Sequence, residues 1–199
     1  MSESTRKSSK NSLSEINLYW QENCQCELKN TASRAVFGNG NPHAEVVFIG
    51  EAPGKKEDET GIPFVGAAGK FLDEMLESIK MERGDIYITN IVKYRPPNNR
   101  DPELQEKESC KDWLHEELNI IAPKLIVFLG RHSMNHFFPD LKISEAHGKL
   151  IIKNITGINT KYFLPLYHPA AALYNGGMRA ELMNDFKKIQ LALEKIDNR

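Results

Sequence analysis

The sequence predicts an α/β fold, a three-layer αβα sandwich built on a mainly parallel central sheet. Two observations carry that expectation. Short, largely apolar runs, Val46 to Ile49, Ile86 to Thr89, Leu125 to Leu129 and Tyr162 to Tyr167, read as strands, most of them buried on both faces. Between them lie longer segments with apolar residues at helical spacing. Strands alternating with helices imply crossover connections, and therefore parallel neighbours covered on both faces.

The chain has 199 residues, 40% of them hydrophobic, which suits one substantial core. A single domain is expected over residues 12–199, after a polar, Ser/Lys-rich tail at residues 1–11 that has no apolar periodicity and reads as disordered. The formal net charge of −1 offers no basic field, so any nucleic-acid contact must rest on local patches and backbone amides. No apolar run is long enough to span a bilayer and the start, MSESTRKSSKNS, is not a signal peptide, so an intracellular monomer with no membrane partner is expected. Three cysteines, an odd number, argue against a disulfide framework.

Taken in order, Ser12 to Asn30 reads as a helix entered through Ser12 or Ser14, with Leu13, Ile16 and Trp20 as its stripe. Val36 and Phe37 open a short strand before the turn Gly38 to Pro42. The central strand Val46 to Ile49 then runs into Gly50, Glu51, Ala52, Pro53 and Gly54, a tight turn carrying one carboxylate, followed by the charged stretch Lys55 to Glu59. Ala67 to Met81 presents Phe71, Leu72, Met75, Leu76 and Ile79 as an amphipathic face. Strand Ile86 to Thr89 gives way to a proline-rich loop, Tyr94 to Pro102. Pro102 suits the first position of a helix to Ala122 that buries Leu104, Trp113, Leu114, Leu118 and Ile121. Strand Leu125 to Leu129 ends at Gly130 before a short helix through Phe138. Gly148 to Ile158 reads as a hairpin or irregular excursion, and the last strand, from Tyr162, leads through His168-Pro169 and an Ala/Gly-rich loop into a closing helix with the stripe Leu182, Phe186, Ile189 and Leu193.

Three strand ends carry reactive side chains: Glu51, Asn90 and His168. In a parallel sheet these ends lie on one edge, where open α/β sheets bind ligands, so residues distant in sequence can converge there. Gly50 to Lys55 is one residue short of a Walker A loop, and Lys56 stands where the magnesium-binding Ser/Thr would be, which excludes that NTPase motif. No His, Glu or Cys cluster has zinc-deaminase spacing.

Three separated stretches, GEAPGKKEDETGIPFVGAAGKFLDEML, YITNIVKYRPPNNRDPE and LPLYHPAAAL, resemble the family 4 uracil-DNA glycosylases in order, spacing and residue type. The resemblance implies the uracil-DNA glycosylase fold. It also implies a hydrolase that flips uracil out of DNA and breaks its N-glycosidic bond, leaving an abasic site for base-excision repair without cutting the strand itself. By resemblance Phe64 stacks on the base, Asn90 reads O4 and N3–H, His168 donates to O2 as charge builds there, and Glu51 lies near the sugar and the attacking water, whether as base or as electrostatic partner. Gly50 and Ala52 line the same pocket, Glu57 stands beside C5 where it excludes the methyl of thymine, and Leu173 fills the gap left by the flipped nucleotide. Tyr174 and Gly176 depart from the Arg and Pro common in the family at those places.

The family usually carries a [4Fe-4S] cluster on four cysteines. Here Cys26 and Cys110 match two of the ligands, Asn23 occupies the first position with Cys24 one residue out of register, and Tyr94 replaces the third. A cubane cluster wants four thiolates, so none is expected, and the chemistry itself calls for no cofactor. Two other functions compete: a broader glycosylase acting on deaminated bases such as hypoxanthine, and a non-catalytic or covalently trapping binder of uracil-containing DNA. Asn90 and Glu57 argue against the first. An uninterrupted, histidine-free Gly54 to Gly66, with Glu51 and His168 retained, argues against the second.

Overall fold

The computed structural model describes residues 12–198; the tail expected at residues 1–11 lies outside them. Six strands, β1 (Asn39–Gly40), β2 (Val46–Gly50), β3 (Tyr87–Asn90), β4 (Leu125–Leu129), β5 (Ile151–Ile152) and β6 (Tyr162–Leu166), form one sheet in the order β1-β3-β2-β4-β6-β5. The inner four are parallel, and each edge is closed by a two-residue antiparallel strand. The expected α/β sandwich is therefore present, with its parallel strands at the centre.

Alternation along the strands builds two cores. Val47 and Ile49 of β2 join Ile126 and Phe128 of β4 on one face; Val46 and Phe48 join Val127 and Leu129 on the other. The first face is covered by α1 (Leu13–Asn23), α4 (Leu104–Ile121) and α5 (Arg131–Phe137), with α6 (Ile143–Ala146) contributing Ala146. The second is covered by α3 (Ala67–Ser78) and α8 (Arg179–Asp197), whose buried faces carry Phe71, Leu72, Met75 and Leu76 and Leu182, Phe186 and Ile189. Two short helices, α2 (Lys55–Thr60) and α7 (Ala171–Tyr174), lie in the segments that follow β2 and β6.

Several expectations are corrected. The helix read over Ser12 to Asn30 ends at Asn23: Cys24 turns extended and Glu27–Asn30 forms a separate 3-10 turn. Cys26 and Leu28 fall off the stripe of Ile16 and Trp20, so a continuous helix would expose them, and the break buries both. Val36 and Phe37 are not a strand; pairing with β3 comes two residues later at Asn39 and Gly40. The helix expected from Pro102 starts at Leu104, because Glu103 caps it and Glu106 accepts from the Glu103 N–H at 2.7 Å. Leu104, expected in the core, is exposed on that first turn. Ile151–Ile152 does not pair within Gly148 to Ile158 but with β6, and the expected loop after His168 contains α7 and a 3-10 turn, Gly176–Met178.

Candidate active site

The carboxyl ends of the parallel strands open onto one pocket of about 410 Å³, lined among others by Glu51, Ala52, Glu57, Phe64, Asn90 and His168. The convergence expected from the strand order is thus realised. The sheet ladder continues past β2 and β3: Ile91 N donates to Gly50 O at 3.0 Å and Val92 N to Glu51 O at 3.2 Å, which pins the backbone that presents Glu51.

Gly50, expected to line the pocket, is not among its lining residues; it packs against two that are, Asn90 and Phe64. A Cβ there would stand 2.4 Å from Asn90 Oδ1 and 2.6 Å from Phe64 Cζ, so no larger residue fits while both neighbours stay in place. Phe64 itself has φ 54, a left-handed conformation unusual for an aromatic residue. Three features hold it: Arg83 donates to Phe64 O and, at 3.3 Å, to Pro63 O; Glu57 Oε1 accepts from Val65 N at 2.9 Å and Gly66 N at 2.8 Å; and Gly69 leaves room for Phe64 O, which a Cβ would meet at 1.8 Å. Glu57 is thus a brace of the Phe64 loop as well as part of the pocket lining.

Asn90 is 2% exposed, and its Oδ1 is buried without a hydrogen-bond partner among the described residues. An unpaired buried carbonyl costs free energy unless a ligand supplies the donor. Below it lies a closed polar network. Lys93 Nζ donates to Asn90 O at 2.7 Å and to Glu117 Oε2 at 3.1 Å, Tyr87 and Thr89 donate to the two oxygens of Glu117, and the ammonium sits 4.0 Å from the Trp113 ring centroid. Lys93 and Glu117 are both fully buried.

His168 Nδ1 accepts from Ala170 N at 3.1 Å, which leaves the proton of a neutral ring on Nε2. Burial, and then the charge of His132, lower its pKa to about 4, so the ring is neutral around pH 7. Its centroid lies 5.7 Å from that of Phe64. Glu51 is pushed the other way: burial first, and the negative charge of Asp101 second, raise its pKa to about 7, opposed by Lys107 and Arg131. Glu51 Oε1 is buried and accepts no hydrogen bond from the described residues.

A family model described as the Uracil DNA glycosylase superfamily matches residues 37–194. The chain belongs to the uracil DNA glycosylase superfamily. Within the superfamily it is similar to proteins named Type-4 uracil-DNA glycosylase. That of Archaeoglobus fulgidus is 49% identical, covering 83% of this chain and 85% of that protein; that of Sulfurisphaera tokodaii is 47% identical, covering 83% and 78%; that of Saccharolobus solfataricus is 46% identical, covering 85% and 82%.

Leu173, expected as the wedge, is not among the residues lining the pocket; it is half exposed on α7 beside Tyr174, which is 92% exposed and reaches the pocket. The cysteines lie elsewhere. Cys26 and Cys110 are buried in the core under α1 and α4, and Tyr94, also buried, stacks on Trp20 with centroids 5.3 Å apart. Sequence reasoning missed Asp101, which lines the pocket, and His132, which stands behind Glu51. The signal for His132 was present: β4 is the fourth parallel strand, and its end runs through Gly130 and Arg131 straight into that histidine.

Proposed function

We propose that the chain excises uracil from DNA by hydrolysis of the N-glycosidic bond, leaving an abasic site. The observation that carries this reading is Asn90 Oδ1, buried and unpaired in a pocket beside the Phe64 ring and a neutral His168. A base inside a duplex is out of reach, so the nucleotide is extruded, its base stacks on Phe64, and Leu173 takes the vacated space. Asn90 Oδ1 accepts from uracil N3–H while its amide donates to O4. Cytosine presents the opposite pattern and leaves the buried amide unpaired. Glu57, tied to Val65 and Gly66, stands beside C5 and excludes thymine's methyl group.

As the C1′–N1 bond breaks, the bonding pair goes to the base, and the His168 Nε2–H donates to uracil O2 where that charge collects. Water attacks C1′ and its proton passes to Glu51, whose negative charge also offsets the oxocarbenium character of the sugar. Strand cleavage by the protein itself needs an amine nucleophile at C1′; among the described residues that line the pocket there is no lysine, which supports a monofunctional activity.

These steps use the chain's own side chains. The donor set around Cys26 does not fit the family's [4Fe-4S] cluster. Three thiols are available where four are wanted, one of them, Cys24, a residue out of register, and the third ligand position is held by the phenol of Tyr94. Burial, then the charges of Cys24, Cys26 and Cys110, push Tyr94 up to about 12, which keeps it neutral and a poor ligand.

The test is base release from matched oligonucleotides carrying one uracil, hypoxanthine or thymine, followed by alkali. Release of uracil alone, with strand scission only after alkali, is the expected result. Uracil-dependent binding without release would overturn the enzymatic reading, and scission without alkali would overturn the monofunctional one.

A further inference from the structure

Three of the four parallel strand ends supply the groups used above. The fourth, at β4, turns through Gly130 into α5 and places His132 behind Glu51. His132 Nδ1 lies 3.6 Å from Glu51 Oε1, the buried carboxylate oxygen that accepts no hydrogen bond. On the other side of the ring, Arg131 Nε donates to His132 Nε2 at 3.0 Å, and Asp101 Oδ2 lies 3.3 Å from the same nitrogen. Arg131 and Asp101 face each other at 3.9 Å.

The neighbours of Nε2 decide what Nδ1 can do. A ring nitrogen that accepts carries no proton in neutral imidazole, so the donation from Arg131 leaves the proton on Nδ1, facing Glu51. The imidazolium that Asp101 favours carries a proton on both nitrogens. Either form therefore offers N–H to the unpaired oxygen. Arg131 also stands against Asp101, which lessens the repulsion that Asp101 exerts on Glu51.

We propose that His132 is a positioning residue of the site: through Nδ1–H it aims Glu51 at the attacking water and holds it as the carboxylate. The inference rests on the reading of Glu51 as the group beside that water. The charged and titratable groups facing the pair are Asp101 and Lys107 from the segment and helix after β3, Arg131 on α5, and His168 after β6. Burial is the largest influence on His132 and lowers its pKa; Asp101 opposes that shift, and Arg131 and Lys107 add to it.

The experiment measures single-turnover uracil release against pH for the full chain and for His132→Ala, His132→Asn and His132→Gln, with Glu51→Gln as the reference for the underlying reading. In His132→Ala the acidic limb of the profile should move up by about one pH unit, a loss of about tenfold below it. His132→Asn, whose amide nitrogen takes the place of Nδ1, should restore the limb, whereas His132→Gln, whose amide reaches the place of Nε2, should not. A limb unmoved in His132→Ala, or Asn and Gln variants that behave alike, overturns the role of His132. If the Ala variant does not fold, the contrast between Asn and Gln decides. Full activity in Glu51→Gln removes the reading of Glu51 itself; its loss alongside an unmoved His132→Ala profile sinks only the inference.

Discussion

Gly50 and Asn90 sit so close that a single added methyl would separate them: a Cβ on Gly50 would lie 2.4 Å from Asn90 Oδ1, with Phe64 Cζ 2.6 Å away on the other side. Phe64 cannot yield freely, because its carbonyl is held by Arg83 and packed against Gly69. Gly50→Ala must therefore displace either the reading amide or the stacking ring. A misplacement of about 1 Å can cost on the order of a hundredfold in rate. The expected outcome is at least that loss in uracil release, with a fall in stability of about 1–3 kcal/mol from overpacking. Normal kinetics in a folded Gly50→Ala variant would separate Asn90 and Phe64 from the base-binding site.

Activity and stability should respond to pH in opposite directions through Glu51. Its folded pKa, raised to about 7 from an ordinary 4.5, favours the protonated form in the native state. The stability this contributes is complete below the ordinary value and is lost as pH rises through about 7. Above that, the native state carries an ionised, largely desolvated carboxylate at a cost on the order of 1–3 kcal/mol. Glu51→Gln removes that cost and the reactive group together. Urea unfolding should find Glu51→Gln more stable than the parent at about pH 8.5 and little different at about pH 4, while base release by the parent rises with pH across about 7. His168, neutral above about 4, should add no second limb in that range.

Much of this site was legible because the physics behind it is local to strand ends. A wholly apolar run followed by Gly50-Glu51, or ending in Asn90, announces both a buried strand and the residue at its edge, and sheet topology then brings those edges together. What stayed hidden depends on angles that periodicity does not contain. Cys26 and Leu28 look like a continuation of the first helix until their phase against Trp20 is compared, and the break at Cys24 resolves that conflict. Leu104 reads as core because it is apolar at the start of a helix, yet Glu103 and Glu106 set the start so that it faces water. Nothing in the sequence around Lys93 marks its partner; only the fold shows Glu117, from a helix distant in sequence, closing over it.

The aromatic packing around Tyr94 should make the fold independent of iron. Tyr94 stacks on Trp20, and Trp20 lies 5.4 Å from Trp113, so three large rings belong to the same core as Cys26 and Cys110. Purified under anaerobic conditions, the protein should carry no stoichiometric iron and no visible iron-sulfur absorbance. Tyr94→Ala should cost about 3–5 kcal/mol in stability whether or not iron is supplied, as expected for truncating a buried aromatic residue. Iron at four atoms per chain, or a Tyr94→Ala defect repaired by iron and sulfide, would contradict the donor-set argument.

The buried pair Lys93–Glu117 makes a sharper demand on thermodynamics. Both side chains are fully buried at 3.1 Å, and Lys93 also donates to the backbone of Asn90, so the pair ties the reading residue to α4. Burial lowers the pKa of Lys93, and Glu117 opposes the shift. Removing one partner strands the other charge in the core, whereas replacing both by methionine and leucine strands no charge and costs only the hydrogen bonds of Tyr87, Thr89 and the Asn90 carbonyl. Lys93→Met and Glu117→Leu should each lose about 3–5 kcal/mol, and the double variant should lose clearly less than the sum. Uracil release separates the two roles of the pair. If the double variant regains stability but still releases uracil slowly, with weakened discrimination against cytosine, the ammonium serves to place Asn90. If it regains both, the pair acts through stability alone.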